Sequence, residues 1–364
     1  MTQFTLNPLV LPNGSSIQRA HVVPAKYRLD GFDQTYDFHT IAYDVIWMER
    51  QKSLLLICPK LLNLERLLTT SKITASGQVI KSIRIRRYRR HDEVWLSLPT
   101  RPEQISIELD QFTIRANVSN QETDFNNKNV LMTKSKDNDL VWVKDWMQHH
   151  NVAQSATAAL IFDNGSTRYS LSELEQSMVS VPGFDVAGAV ASSFPFGSWK
   201  ASKLIHRSMF YQAGMLNIAR HRFLHAARAV LPIDVDELVV GASMFDAAVH
   251  SRIGYVTIPG VWRYSNLPPE QRPRHSDHVW RRDPDAVSKE KYCLTPGRWF
   301  TDTVWDIHGL RRYMFNKLAM RDDARFVHCE HVSNGWKRKR DAAAGETLVR
   351  DPQTEQELAT LRQM

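Results

Sequence analysis

Three acidic side chains, Asp234, Asp236 and Glu237, stand between two apolar runs, Val230–Ile233 and Leu238–Val240. Carboxylates at i and i+2 of an extended segment face opposite sides unless the strand ends between them. At a strand end both can turn toward one ion. Hard divalent cations such as Mg²⁺ or Mn²⁺ favour such oxygen ligands and often share them with the phosphates of a substrate. The expected chemistry is a metal-diphosphate site at the edge of a sheet. An Asp-x-Asp alone occurs roughly once by chance in a chain this long, so its neighbours must carry the inference. Asp163 closes the run Ile161-Phe-Asp-Asn-Gly-Ser-Thr167, which reads as a strand followed by a turn.

The elements that would position these groups change character along the chain. Residues 1–118 read as β-rich. Short β-prone runs at Val45–Met48, Ser53–Cys58, Ile83–Arg86, Val94–Leu98 and Ile105–Leu109 are separated by turn residues, as in a small sandwich or barrel. The polar, Asn-rich residues 119–128 read as a linker. From 129 onward strands alternate with helices: a strand at Val130–Thr133, an amphipathic helix at Asn138–His150 and a strand at Ala158–Phe162. A helix opened by the capping box Ser170/Glu173, a strand at Val186–Ala191 and a long helix over 202–228 follow, then one acidic strand over 230–240. This alternation predicts an α/β layer whose ligands bind beyond the carboxyl ends of the strands, where Thr133, Asp163 and Asp234 fall. Pro232, lacking a ladder donor, predicts pairing on one side only at that point, or a bulge before Asp234. Residues 346–364 read as a C-terminal tail or helix.

Taken together, Lys136-Asp-Asn138, the helix carrying Asp145-Trp146 and His149-His150, Asp163-Asn-Gly-Ser166 and Asp234-Val-Asp-Glu237 resemble the GT-A glycosyltransferases, in particular their family-2-like and family-92-like bacterial branch. Lys291-Tyr-Cys-Leu-Thr-Pro296, Trp305-Asp-Ile-His308, and Val327-His328 with Trp336-Lys-Arg-Lys-Arg340 are similar to later segments of that branch. The resemblance spans about residues 128–340. Lys136-Asp-Asn138 departs from the branch's Lys-Asn-Glu, and Leu238 replaces its usual aromatic. It implies a GT-A, Rossmann-like mixed sheet flanked by helices over 129–345, preceded by the small β-rich domain. It also implies a Mn²⁺ or Mg²⁺ ion on Asp234, Asp236 and His308, with His328 and His331 as runners-up for the histidine. A UDP- or GDP-linked sugar donor would touch Thr133, Lys136, Asp163, Asn164, Gln212 and Asp234, with Asn217 near Gln212. In an inverting mechanism one carboxylate must take the acceptor proton. Asp277 is the first choice, ahead of Asp283, Asp285 and Glu290. The acceptor would be a glycan or glycolipid of a surface polysaccharide pathway.

The bulk numbers fit that expectation. The 364 residues are 43% hydrophobic and 24% charged, as in an ordinary folded protein. No transmembrane-length apolar run and no secretory pattern at Met1–Pro8 point to the cytoplasm, or to the inner face of a membrane. Cys58, Cys293 and Cys329 are too few and too scattered for a disulfide framework or a zinc motif. A net charge of +8 favours anionic partners, and Lys81–Arg90 and Lys337–Arg340 concentrate it in basic patches that suit peripheral membrane contact. No nucleic-acid recognition motif is present. A nucleotidyl- or phosphotransferase would add a Gly-rich phosphate loop, which is missing. The non-enzyme alternative is a basic scaffold that keeps a transferase-like fold without activity.

Overall fold

The structure, a computed structural model, describes residues 2–109, 112–268, 270–311, 315–332 and 348–363. The basic run Trp336–Arg340 lies outside them. The chain forms two compact units: Met1–Phe4, Asp124–Ala191 and Leu224–Met364 make one, Thr5–Thr123 and Ser192–Phe223 the other. The grouping differs from the sequence reading in that 192–223 joins the N-terminal residues. No helix among the described residues is long and apolar enough to cross a membrane.

The first unit is mixed α/β. Among the described residues, the strands of its large sheet are β1 (Thr2–Thr5), β2 (Asn129–Ser135), β3 (Ala158–Asp163), β4 (Val186–Ala191), β5 (Ala229–Pro232), β6 (Glu237–Gly241), β7 (Tyr255–Arg263), β8 (Val287–Leu294) and β9 (Ala324–Cys329). They form one sheet in the order β1-β4-β3-β2-β5-β8-β7-β9-β6. β4, β3, β2 and β5 run parallel, while β8 is antiparallel to both β5 and β7. Parallel strands are covered on both faces, which is why β2 and β3 read as unbroken apolar runs. Leu131, Ile161, Ala189 and Leu231 share a core with Trp146 and Met147 of helix α1 (Leu140–Gln154) and Leu174 and Met178 of helix α2 (Leu171–Val179). Each fully buried Leu, Ile or Met among them contributes roughly 1.5–3 kcal/mol. Helix α2 starts at the expected capping box, Ser170 accepting from Glu173 N–H while Glu173 accepts from Ser170 N–H.

Two expectations need correction. The acidic segment is not one strand. β5 stops at Pro232, a turn carries Asp234 to Asp236, and β6 begins at Glu237 in a different part of the sheet. Pro232 lies in register with Met132 of β2, while β5 meets β8 at Val230, so the one-sided pairing holds. The long helix over 202–228 is also absent. Leu204 is left-handed, Ser208 Oγ donates to the carbonyls of Ser198 and Ile205, and only Phe210–Ile218 is α-helical, followed by a π-turn at Ala219–Phe223. The π-turn directs Arg222 to Asp44 and Glu122, and His221 to Glu93, partners that local periodicity does not reveal.

The second unit holds two four-stranded antiparallel sheets sharing one core. Val45, Leu54, Leu56, Val94 and Leu96 from one meet Ile73, Ile105, Ile107 and Ile114 from the other. In strand Ile83–Arg87, Ile83 and Ile85 pack toward that core while the Arg84 and Arg86 guanidiniums stack on Trp95. The segment expected as a linker is tied down: Ser119 pairs with Val45 and Trp47, and Glu122 with Arg222.

Among the described residues, edge strand β6 has only β9 beside it in the sheet, and side chains of α1 close its open side. His149 Nε2–H donates to Val239 O at 2.7 Å, and His150 Nε2 accepts from Val239 N–H at 3.2 Å while its Nδ1–H donates to Trp146 O at 2.8 Å. Burial lowers the pKa of His149 to about 4 and that of His150 well below its usual value. Burial likewise lowers His278 to about 4. These rings are neutral in the fold but protonate in the unfolded chain near pH 6.5. Stability is therefore full above pH 6.5 and falls as pH drops toward 4. Between pH 7 and 5 each ring accounts for ~2 kcal/mol of that loss. Urea unfolding at the two pH values should show it, and His149→Gln should shrink the difference by one ring's share. An unchanged difference in that variant would eliminate His149 as a contributor.

Candidate functional site

The order of the parallel strands creates a switch point. The chain passes from β2 outward to β3 and β4, then returns to place β5 on the other flank of β2. A crevice opens beyond the carboxyl ends of strands at such a reversal, between β2 and β5. Lys134 and Ser135 end β2, Asp163 ends β3, and Asp234 follows β5, so the fold brings all of them to this one end of the sheet.

Backbone and side chains both fix the acidic turn. Ile233 N–H donates to Met132 O, Glu237 N–H to Asp234 O, Cys329 N–H to Asp236 O, and His275 reaches Val235 O at 2.8 Å. Asp234 N–H donates to Glu237 Oε2 at 3.0 Å. Lys291, on β8 and almost fully buried, places its ammonium 2.7 Å from Asp234 Oδ2 and 2.6 Å from Glu237 Oε2. Lys134 Nζ lies 3.8 Å from Asp234 Oδ1. Burial alone would lower the Lys291 pKa, but Asp234 and Glu237 together raise it, so the ammonium is permanent. Burial raises the Glu237 pKa against the opposing pull of Lys291.

Register across the sheet builds the second half of the cluster. Glu237 on β6, His328 on β9 and Trp262 on β7 stand side by side. His328 Nε2 is 3.3 Å from Asp236 Oδ2, its Nδ1 is 3.1 Å from Ser288 Oγ, and the ring stacks on Trp262 at 3.6 Å between centroids. Among the described residues, Asp236, Glu237 and His328 are the group whose ligand atoms lie close enough, within 4.8 Å of one another, to hold a metal ion.

The expected ligand set does not assemble in that form. Asp234 faces lysines on both carboxylate oxygens. His308 sits on the hairpin Trp305–Leu310 with Nδ1 3.3 Å from Glu290 O. Burial, then Lys291 and Lys289, lower its pKa to about 3. His328, the runner-up, is the histidine that meets Asp236, whereas His331 is exposed and lies by Glu330. A divalent ion on Asp236, Glu237 and His328 would share Glu237 with the Lys291 ammonium, a poor fit for a dication.

The other predicted residues divide in the same way. Asp163 accepts from Ser166 N–H at 3.0 Å and from Ser166 Oγ, and Asn164 N–H donates to Ser135 O. Asp137 is left-handed and accepts from Thr167 and Arg168 N–H, while its own N–H donates to Ser166 Oγ. The loops after β2 and β3 are thus one hydrogen-bonded piece, with Lys136 half-buried within it. Thr133 Oγ1 and Asn138 Oδ1 are buried there with no hydrogen-bond partner among the described residues. Gln212 and Asn217 belong to the other unit, and Asn217 donates to Ala213 O within its helix. Asp277 accepts from Arg274 N–H at 2.8 Å and so caps its own turn. Asp283 pairs with Arg281, Asp285 with Arg263, and Glu290 accepts from Asn316.

Sequence reasoning did not single out Lys134, Ser288 or Trp262, and reached Lys291 only through the resemblance of its segment. Lys134, a lone cation ending an apolar strand, was the available signal. Ser288 and Trp262 carry none. No family model and no curated protein matches the chain.

Asp163 anchors the loop after β3 through two hydrogen bonds to Ser166. Asp163→Ala should lower unfolding free energy by about 1–3 kcal/mol, measured by denaturant titration. A change under a few tenths would mean that the turn stands without its carboxylate.

Proposed function

We propose that this chain is a glycosyltransferase of GT-A type that moves a sugar from a nucleotide-diphosphate donor to a glycan or glycolipid acceptor. The observation that carries the reading is the meeting of Lys134, Asp163 and the Asp234–Glu237 turn at the β2/β5 switch point, where parallel sheets bind nucleotides. Thr133 Oγ1 and Asn138 Oδ1, two of the buried polar atoms without a hydrogen-bond partner among the described residues, would gain one from a ligand bound here. In this reading Asp163 and Thr133 bind the nucleoside. Lys134 meets the diphosphate and stabilises charge as the nucleotide leaves. The stiff hydrogen bonding of both loops keeps these groups in place before the substrate arrives. The basic strand Ile83–Arg87 suits an anionic acceptor surface, including a membrane inner face.

A second reading, a metal-dependent transferase, rests on the Asp236–Glu237–His328 group, although Lys291 already sits on Glu237 Oε2. There a Mn²⁺ or Mg²⁺ ion would neutralise diphosphate charge.

Isothermal titration with a panel of UDP- and GDP-sugars should find at least one that binds. Lys134→Met should weaken that binding by about 10- to 100-fold, the loss of one charge-assisted contact. If no nucleotide-sugar binds and none is hydrolysed or transferred, the proposal fails. Salt-sensitive binding to polyanions alone would then favour the scaffold alternative.

A further inference from the structure

The acidic turn contains a cation of its own, and its position bears on how the site works. We infer that the Lys291 ammonium takes the place of a divalent metal ion between Asp234 and Glu237, so that Lys134, rather than a metal, is the cation that meets donor diphosphate. The functional half rests on the transferase reading. The half concerning metal binding rests on geometry alone.

Lys291 Nζ is 2.7 Å from Asp234 Oδ2 and 2.6 Å from Glu237 Oε2, the bridging position between two carboxylates where a hard cation would sit. Glu237 Oε2 also accepts Asp234 N–H, and Asp234 Oδ1 faces Lys134. Both oxygens of the first aspartate and one of the glutamate therefore already face donors. The ammonium cannot readily swing away: Lys291 stands on a central strand, almost fully buried, between its neighbours β5 and β7. The carboxylates of the turn, Asp234, Asp236 and Glu237, thus already have two ammoniums, Lys134 and Lys291, set against them. An ion entering beside Lys291 would meet like charge a few ångströms away, less screened than at an open surface. His328 is held by Ser288 and clamped on Trp262, which completes a cluster satisfied without a metal. Lysine binds phosphate as a compact point charge, so Lys134 supplies the cation otherwise given by an ion.

The test is Mn²⁺ binding to the full chain, followed by electron paramagnetic resonance. The wild-type protein should show no site tighter than about 1 mM, the weak end of protein cation sites. Lys291→Met, which frees Asp234 and Glu237, should bind Mn²⁺ at least about tenfold more tightly. Mn²⁺ should also raise the Tm of that variant and not that of the wild type. Lys291→Arg keeps a cation and should stay indifferent to Mn²⁺. If Lys291→Met folds only with Mn²⁺ present, the inference is supported. If it does not fold at all, the wild-type titration decides. Micromolar Mn²⁺ binding by the wild type, lost in Asp236→Asn or His328→Gln, would overturn the inference and assign the ion to that group. Nucleotide-sugar binding that survives EDTA supports the lysine site. Binding that requires Mn²⁺ overturns it while the transferase reading stands. Absence of nucleotide binding under both conditions removes that reading, and the Mn²⁺ titration then decides the metal question by itself.

Discussion

Between two consecutive strands that end far apart in the sheet, one ammonium holds the connecting turn to a third strand. Lys291 on β8 touches Asp234, just after β5, and Glu237, at the start of β6. Removing one partner from such a buried group leaves an uncompensated charge, a loss of about 3–5 kcal/mol in comparable cases. The constraint reaches further than the pair. Where the turn is fixed, β6 can lie against β9, and where β6 lies there, Glu237 comes level with His328 and Trp262. A lysine on one strand thus sets the address of side chains on three others.

The site is stiff for a second reason, independent of charge. Asp137, Asp163 and Ser166 tie the loops following β2 and β3 into one network, with Asn164 N–H adding a bond to Ser135 O. Loops usually carry function at the expense of order, but here the two that flank the switch point brace one another. Among the buried polar atoms without a partner in the described residues, Thr133 Oγ1 and Asn138 Oδ1 belong to the end of β2 and the loop after it.

Much of this was legible in the sequence, for identifiable reasons. The unbroken apolar runs at 130–132 and 158–162 announced buried parallel strands, and Ser170 with Glu173 announced the start of a helix. The order of Asp163 and Asp234 along alternating elements placed both at one sheet end. What could not be read depended on contacts distant in sequence. The pairing of Asp236 with His328 rather than His308 follows from the β6–β9 register, and nothing local to either histidine encodes it. The neutralisation of Asp234 needs Lys291, 57 residues away. The helix expected over 202–228 failed because Arg222 and His221 are drawn to Asp44, Glu122 and Glu93, carboxylates supplied by the N-terminal residues.

Neither unit is a continuous piece of chain, and this governs the order in which they can mature during synthesis. Thr2–Thr5 is translated early, yet the strand it lies beside, Val186–Ala191, emerges only after the whole β-rich segment. That segment in turn awaits Phe210–Ile218, the helix packed on Ser53–Pro59. Closing contacts so distant in sequence carries a chain-entropy penalty that slows folding. The pairing of the first strand and the packing of that helix are therefore late events in folding, and the surfaces they cover are the last to be sheltered from water.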